Sequence, residues 1–352
     1  MARIAIADSC ARYDGRDMAT RALGGTETSV IQLAEALAWR GHRVTCHTPG
    51  AARVEHRGVG WSPLADGAPE TCDLLIAVQR PELLDFVRRP RARVLWSVWA
   101  SRNLASWRYL FPMWRLRPRV VHTSRFQVHE YPFWLPAGRP TAVIPLGLPD
   151  AVRGLAALPA APPPRAVFAS RPVRGLRQLI RLWADAIVPA VPGAELHIYG
   201  VRDASHRFGD PWEETERRLG QFLPEGLPAE ALASLKPHPP ATREALWDAV
   251  RRCRALLYPG HASEAFCLAV AEAQALGVPA VVRPIAVMPE RVIDGITGFV
   301  ARDDREFADR AIALLSDDAL WRRQHADALR LQQGSSWDEV AARFEALIGA
   351  AQ

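Results

Sequence analysis

Two glutamates, Glu264 and Glu272, interrupt an otherwise apolar stretch that reads HASEAFCLAVAEAQALGVP over residues 261–279. A carboxylate buried without a partner is costly, so such residues usually hold something. If a helix begins near Phe266, the eight positions between the glutamates span roughly 12 Å, on the order of the distance from sugar to ribose in a nucleotide diphosphate sugar. The first amides of that helix would favour the diphosphate. Two solvent-facing glutamates on an amphipathic helix are the alternative interpretation.

Two arginines and two glycines stand where further phosphate contacts are expected. Arg171 and Arg174, in SRPVRGL (170–176), follow a predicted strand, and guanidinium groups suit phosphate oxygens. Gly24 and Gly25 open a predicted helix, where glycine lets the backbone approach a phosphate closely. The chain has no G-x-G-x-x-G fingerprint, which disfavours an ordinary dinucleotide-binding fold. A plain tight turn and two solvated arginines are the alternatives.

A third stretch, WASRNLASWRYLFPMWRLRPR (99–119), mixes aromatic residues with five arginines. Aromatic faces and arginine suit a sugar or an anionic lipid carrier as acceptor, and they also suit a membrane surface. We favour a third interpretation, an amphipathic helix with its aromatic residues in the core and its arginines in solvent. In the acceptor interpretation the candidate contacts are Trp99, Ser97 and His122.

The composition, with 352 residues, 49% hydrophobic and 23% charged, is that of an ordinary globular protein. The net charge of +6 is modest and no matching module is visible, so nucleic acid is not an expected partner. Five cysteines without metal-ligand spacing indicate reduced thiols and no metal site. The sequence shows no signal peptide and no apolar run of about eighteen residues. We therefore expect a cytoplasmic protein.

Strand-like runs alternate with helical patterns along the chain, which predicts parallel crossovers. The expected fold is α/β, with two tandem Rossmann-like, doubly wound parallel-sheet domains and a ligand cleft between them. Residues 201–240 are irregular and are expected to form a variable loop or lid. The predicted bounds are 1–150 for an N-terminal acceptor domain, 151–165 for a proline-rich linker, 166–330 for a C-terminal nucleotide-sugar domain, and 331–352 for a C-terminal helix that packs back on the first domain.

Together these motifs resemble the retaining glycosyltransferases of family four, the glycosyl transferases group 1, which have the GT-B fold. The resemblance covers nearly the whole chain, and the block around the two glutamates is its most specific part. The segments that carry it are Gly24-Gly25 with a helix ending in Arg-Gly-His (40–42), IPLG (144–147), SRPVRG (170–175), SEAFCLAVAEAQALGVPAVV (263–282) and PERVIDGITGFV (289–300).

The resemblance implies that Glu264 binds the donor sugar and acts in catalysis, while Glu272 binds the ribose. It implies that Arg171 and Arg174 neutralise the diphosphate, whose negative charge grows as it leaves. The further donor contacts that it implies are Gly24, Gly25, Cys267 and Leu268. Transfer would retain the anomeric configuration, with a departing phosphate oxygen helping to deprotonate the acceptor. Neither a metal nor a cofactor beyond the nucleotide-sugar donor is expected.

Two departures from the family pattern bear on these expectations. Trp99 and Ser97 stand in the segment where many relatives carry a histidine beside the reacting sugar. Ala-Phe-Cys follows Glu264 in place of the common Pro-Phe-Gly, which predicts a less tight turn.

The expected function is metal-independent transfer of a hexose from a nucleotide-diphosphate sugar to a glycan, lipid-linked sugar or small molecule. Peripheral contact with the inner face of a membrane is a further expectation. The alternatives are a non-catalytic nucleotide-sugar-binding or scaffolding protein, and a sugar-nucleotide epimerase of the same fold.

Overall fold

The computed structural model describes residues 1–200 and 211–349, and the chain forms two compact units. The first comprises Met1–Pro149 and Ser335–Gln352, and the second comprises Asp150–Gly334. Each is built on a sheet of largely parallel strands flanked by helices, so the predicted α/β class is confirmed.

The sheet of the first unit has its strands in the order β3-β4-β2-β1-β5-β6-β7-β8, and only β3 runs antiparallel to its neighbour. The central strands read as continuous apolar runs because helices and turns cover both faces of a parallel sheet. The strands are β1 (Arg3–Ala7), β2 (Arg43–Thr48), β3 (Val54–His56), β4 (Val59–Pro63), β5 (Thr71–Val78), β6 (Arg89–Ser97), β7 (Arg119–His122) and β8 (Gly138–Val143).

Short helices and turns connect these strands. Helix α2 stops where Gly41 adopts a φ of 85°, a left-handed conformation that glycine accepts without strain. The helices are α1 (Asp17–Thr20), α2 (Gly25–Trp39), α3 (Trp107–Leu116) and α4 (Arg125–Glu130), with 3-10 turns at Leu64–Asp66, Pro81–Asp85 and Ser101–Leu104.

The hairpin of β3 and β4 was not predicted from the sequence. Its two-residue loop is Arg57-Gly58, and both residues have positive φ, 48° and 75°. That geometry is the type I′ turn, which matches the twist of the flanking strands. Asparagine or aspartate usually precedes the glycine, so Arg-Gly is a weak signal for this turn.

The second unit has six parallel strands in the order β11-β10-β9-β12-β13-β14. They are β9 (Arg165–Ala169), β10 (Glu195–Tyr199), β11 (Leu235–Pro237), β12 (Ala255–Tyr258), β13 (Ala280–Val282) and β14 (Gly298–Val300). The helices are α5 (Leu176–Leu182), which continues through a π-helical turn (Trp183–Ile187) into α6 (Val188–Ala190), then α7 (Pro211–Gly220), α8 (Ala229–Ser234), α9 (Arg243–Arg251), α10 (Leu268–Ala275), α11 (Met288–Arg291), α12 (Asp304–Ser316) and α13 (Asp318–Leu331).

The segment 201–240 is more regular than predicted. From Pro211 onward it contains α7, α8 and β11, so the expected irregular loop is wrong for that part. Residues 201–210 lie outside the described residues. Within the predicted linker, the 3-10 turn Asp150–Val152 is followed by chain without helix or strand up to β9.

The last helix, α14 (Trp337–Gly349), packs in the first unit against α2 and β6. Its Phe344 ring lies 5.3 Å from the Trp96 ring in an edge-to-face arrangement. Arg40, which directly follows α2, donates to both Asp338 and Glu345 at 2.9 Å. A Cβ at Gly147 would lie 2.7 Å from the Trp337 ring, so glycine is required for this close approach.

Helix α3 contradicts the favoured interpretation of the aromatic stretch. Its Trp107, Phe111 and Trp114 side chains are 86%, 63% and 56% exposed, whereas Tyr109 and Met113 fill the core. The aromatic residues of this helix therefore divide between its two sides. Among the described residues, no helix is both long and apolar enough to cross a membrane.

Candidate functional site

The predicted donor residues of the second unit gather where β9 and β12 end. These strands are parallel neighbours, so the loops that follow them leave the same edge of the sheet. The two loops touch: Gly175 adopts a φ of 99°, and a Cβ there would lie 3.3 Å from Pro259. Arg174 precedes that glycine, and Glu264 follows that proline by five residues.

Glu264 is buried and has two donors on one carboxylate oxygen. The Tyr258 hydroxyl donates to its Oε1 at 2.6 Å, and a guanidinium nitrogen of Arg174 donates to the same atom. Burial raises the pKa of Tyr258, and the nearby Cys267 and Glu264 raise it further, so the phenol remains a donor. Burial lowers the pKa of Arg174, but Glu264, Tyr258 and Cys267 together raise it by more, so the guanidinium stays charged.

Arg171 shares the loop with Arg174 but not its contact. Its carbonyl accepts the Arg174 amide at 2.9 Å, while its side chain is exposed and forms no ion pair within the described chain. On this loop the Arg174 guanidinium is therefore bonded to Glu264, whereas the Arg171 guanidinium is free to bind an anion from solvent.

Helix α10 begins in a strained conformation. Cys267, its N-cap, has φ 63° and ψ 74°, the left-handed region that glycine favours. The turn after Glu264 thus has the backbone that a glycine would give, and the prediction of a looser turn is wrong. The amides that open the helix, starting with Leu268, lack intrahelical acceptors because every helix leaves its first N–H groups free.

The Cys267 thiol is buried, and burial raises its pKa well above the usual value. Beside it, the Arg291 guanidinium lies 4.4 Å from the centre of the Phe266 ring. The thiol therefore stays protonated, and Cys267 contributes its backbone rather than a nucleophile to this site.

Glu272 lies on the second turn of α10 and is 3% exposed. A guanidinium nitrogen of Arg243, the first residue of α9, donates to its Oε1. Burial raises the pKa of Glu272, and the charge of Arg243 opposes that rise. Glu264 and Glu272 are thus both buried and both held by arginine, which excludes the alternative of two solvent-facing glutamates.

Sequence reasoning identified the two carboxylates and Arg174 but missed Tyr258 and Arg243. Tyr258 ends an apolar strand and looks like a core residue. Arg243 is one of many arginines that begin or flank helices in this chain. A buried glutamate demands a donor, but the sequence alone does not say which element supplies it.

In the first unit, the structure brings Trp99 to the start of α2. The Trp99 indole donates to Thr26 Oγ1 at 3.1 Å, next to Gly25. The Trp99 and Val98 amides donate to Gln79 Oε1 at 2.9 and 3.1 Å. Gly24 has an ordinary φ of −72°. A Cβ at this position would lie 2.3 Å from a carboxylate oxygen of Glu27. A side chain at this position would only displace the end of the flexible Glu27 side chain, so neither space nor backbone conformation requires glycine here.

Ser97 and His122, the other acceptor candidates, are buried beneath this edge of the sheet. Ser97 donates to the Trp99 carbonyl at 3.4 Å, and His122 Nδ1 lies 3.2 Å from Ser101 Oγ. Burial lowers the pKa of His122 to about 4, so the ring is neutral near pH 7. In this structure both side chains contact protein groups, and Trp99 is the candidate nearest the surface.

Across residues 1–200 and 211–349, no group of three or more His, Cys, Asp or Glu side chains is arranged to hold a metal ion.

Comparison with protein families places a known domain over the second unit: residues 167–330 match the model described as Glycosyl transferases group 1. The D-inositol 3-phosphate glycosyltransferase of Streptomyces griseus is 34% identical over 190 residues, which is 49% of this chain and 40% of that protein. The protein of the same name from Xylanimonas cellulosilytica is 36% identical over 107 residues, 30% of this chain and 25% of that protein. These alignments span a quarter to two fifths of the relatives' own length.

Solved structures resemble the chain over its full length. Sucrose-phosphate synthase from Thermosynechococcus elongatus aligns with a TM-score of 0.73 at 18% identity and covers 100% of both chains. The Anabaena protein HepE, crystallised with UDP-glucose, aligns with a TM-score of 0.71 at 15% identity and covers 99% of this chain and 100% of its own. At such identities the likeness shows the fold.

Proposed function

We propose that the chain, whose residues 167–330 match the glycosyl transferases group 1 and whose fold is GT-B, transfers a sugar from a nucleotide diphosphate sugar to an acceptor hydroxyl. The observation that carries the proposal is the buried cluster of Arg174, Glu264 and Tyr258 beside the first turn of α10. All three residues lie within the matched domain.

The positive groups at this edge of the sheet suit a diphosphate leaving group, whose negative charge grows as its bond to the sugar breaks. One Arg174 nitrogen is bonded to Glu264, which leaves the other N–H groups of the five-donor guanidinium for phosphate oxygens. Arg171, on the same loop, supplies a second cation. The free amides of α10, beginning with Leu268, and the positive end of its dipole add a fixed anion site.

Glu264 is better placed to bind than to attack. Its Oε1 accepts hydrogen bonds from both Tyr258 and Arg174. These bonds lower the nucleophilicity of that oxygen and fix its position. We propose that it accepts hydrogen bonds from the donor sugar, while Glu272, held by Arg243, binds the ribose hydroxyls. The proposed path keeps the anomeric configuration because the acceptor attacks the face of the sugar that the diphosphate leaves, where a departing phosphate oxygen takes the acceptor proton.

The remaining features of the proposal are a hexose donor, no metal requirement and a cytoplasmic location. The five cysteines are all free thiols, in keeping with a reducing compartment. Arginines and helix amides at the diphosphate site supply the charge that a metal provides elsewhere. Activity unchanged by a chelator is therefore expected, and activity lost on chelation and restored by a divalent cation would contradict this feature.

Gly24 and Gly25 lie in the first unit, and a donor contact there is part of the proposal. Their setting next to Thr26 and Trp99, at the opening of a fifteen-residue helix, supports an approach of ligand to backbone.

A second candidate is a protein that binds nucleotide sugars without turning them over. Trp99 favours it, because an indole held by Thr26 stands where the family resemblance predicts a histidine.

A third candidate, an epimerase of the same fold, would change the donor sugar with no acceptor present. Nucleotide-sugar binding without transfer or donor hydrolysis would select the second candidate, and a new sugar nucleotide formed from donor alone would select the third.

The test is a thermal-unfolding screen against nucleotides and nucleotide sugars. A ligand at about a hundred times its dissociation constant adds roughly 2.7 kcal/mol to stability. We expect one nucleotide sugar to raise the midpoint, and Arg174→Met to reduce the affinity at least about tenfold by removing a charge-assisted phosphate contact. Arg330→Met, which removes an exposed arginine paired with Asp327 of the same unit, is the matched control. No shift with any nucleotide sugar would overturn the proposal.

A further inference from the structure

Helix α3 presents a large apolar surface to solvent. Four apolar side chains line its outer side at i, i+3, i+4 and i+7, which at about 100° per residue confines them to one stripe about 100° wide. They are Trp107, Leu110, Phe111 and Trp114, with exposures of 86%, 44%, 63% and 56%. The opposite side of the helix carries Tyr109 and Met113, which are buried, so the exposed stripe is not a mispacked core face.

The loop after α4 extends this surface. Leu135 packs in the same core cluster as Tyr109 and Met113, so this loop and α3 cover one shared core. Two residues of the loop, Phe133 and Trp134, are 98% and 43% exposed. These six exposed residues, Trp107, Leu110, Phe111, Trp114, Phe133 and Trp134, are called the aromatic face below. Single exposed apolar residues are common, but a contiguous set of this kind marks an interaction surface.

The sequence around the aromatic face is strongly basic. From Phe86 to His129 there are ten arginines and no aspartate or glutamate, although the whole chain carries a net charge of only +6. The rest of the chain is therefore net negative, and the excess positive charge is concentrated in this part of the first unit.

Neighbouring carboxylates neutralise part of that charge. Arg115 pairs with Asp85, and Arg108 lies 4.0 Å from Glu82; both acids belong to the 3-10 turn that packs against α3. Arg102 likewise lies 3.6 Å from Glu130.

Three arginines of the same stretch keep their charge available. Arg88, Arg91 and Arg117 are exposed and form no ion pair with a carboxylate of residues 1–200 or 211–349. Arg117 directly follows α3, and the other two follow the turn that packs on it.

We propose that the aromatic face is a docking surface for an anionic lipid membrane. Tryptophan and phenylalanine flanked by arginine suit the boundary between acyl chains and headgroups, where the rings are buried and the guanidinium groups meet lipid phosphates. The charge selects this occupant, because three exposed arginines without a carboxylate partner in the described chain complement anionic headgroups. A second copy of the same face would bring like charges together.

The proposal goes beyond the transferase function and does not depend on it. The membrane contact lies on α3 and the loop after α4, and neither segment carries a residue that is proposed to hold the donor. A failure of either proposal would leave the other standing.

The test is flotation of the full chain with two kinds of vesicle, phosphatidylcholine alone and phosphatidylcholine with a third of the lipid replaced by phosphatidylglycerol. We expect binding to the anionic vesicles, weaker binding as salt is raised, and little binding to the neutral vesicles. The triple variant Trp107→Ser/Phe111→Ser/Trp114→Ser should reduce partitioning at least about tenfold, because each exposed ring would otherwise be buried in the interface.

Trp39→Ser is the matched control, since Trp39 is 90% exposed but lies at the end of α2. It should bind like the wild type, and both variants should keep the wild-type unfolding midpoint. If the triple variant fails to fold, Phe133→Ser/Trp134→Ser on the adjoining loop replaces it, and loss of binding is again the expected result.

Equal binding to neutral and anionic vesicles would overturn the proposal, as would unchanged binding of the folded variants. Sedimentation velocity without lipid tests the rival occupant. A dimer that dissociates in the aromatic-face variant but not in Trp39→Ser would identify a second copy of the chain instead.

Discussion

At the scale of single residues, Cys267 shows how strongly the turn that opens α10 constrains its backbone. The residue has φ 63° although it carries a side chain, and a left-handed conformation costs a non-glycine residue about 1–2 kcal/mol. We predict that Cys267→Gly is more stable than Cys267→Ala by about 1 kcal/mol, the reverse of the usual order at helical positions. Urea unfolding of the two variants measures the difference, and an alanine variant equal to or more stable than the glycine variant would contradict the strain.

The sequence indicates that Glu264 and Glu272 need hydrogen-bond donors, but it does not indicate which residues supply them. Glu264 and Glu272 were visible because each breaks an apolar run. Their donors, Tyr258 and Arg243, became identifiable only once the strand order and the packing of α9 beside α10 were known. Side-chain hydrogen bonds between residues distant in sequence depend on tertiary structure, which a single sequence pattern does not report.

At the scale of elements, α14 completes the core of the first unit although it follows the second unit in sequence. Phe344 is fully buried against Trp96, and truncating a buried phenylalanine to alanine costs about 3–5 kcal/mol. We predict a loss of that size for Phe344→Ala, measured by denaturant unfolding with a probe specific to the first unit. Phe133→Ala makes the same chemical change at a 98% exposed position and should change stability by less than about 0.5 kcal/mol.

A loss below about 1 kcal/mol for Phe344→Ala would mean that α14 is dispensable for the first unit. A comparable loss for Phe133→Ala would place that ring in a contact that the structure does not show.

Element prediction succeeded where the apolar pattern was long and failed where it was short or two-sided. The buried strands β1, β5 and β12 were evident as apolar runs. For helix α3 the sequence predicts aromatic residues in the core, which is wrong for three of them. Periodicity shows that a helix has an apolar side, but when both sides are apolar it does not show which one faces inward. Of the four three-residue strands, β3, β11 and β14 are too short for a pattern to identify them, whereas β13 lies in the apolar run VPAVVR (278–283).

At the scale of the whole molecule, buried histidines make stability depend on pH. His122 has its pKa lowered to about 4 by burial, against an ordinary value of 6.5, and His238 behaves likewise. A lowered histidine pKa means that the unfolded chain takes up the proton first, so stability falls as pH drops from about 6.5 towards 4. For His122 alone the loss between pH 7 and pH 5 is about 2 kcal/mol.

We therefore predict that His122→Phe shows a shallower fall in unfolding free energy from pH 7 to pH 5 than the wild type, measured in urea at each pH. His129→Gln, which replaces an exposed histidine of the same unit, is the matched control and should keep the wild-type slope. A variant slope equal to that of the wild type would show that His122 gains its proton as readily in the folded chain as in the unfolded one.

Donor cleavage tests most directly whether Arg174, with the buried Glu264 and Tyr258, serves sugar transfer from a nucleotide diphosphate sugar. The measurement is nucleoside diphosphate release from a panel of nucleotide sugars by the wild type and by Glu264→Gln, each with its unfolding midpoint recorded. We predict that one donor is cleaved, and that the variant, folded to the same extent, is slower by at least about a hundredfold because it loses the fixed carboxylate that binds the sugar in the transition state. Release by Glu264→Gln at the wild-type rate, or no release from any donor by the wild type, would contradict the account.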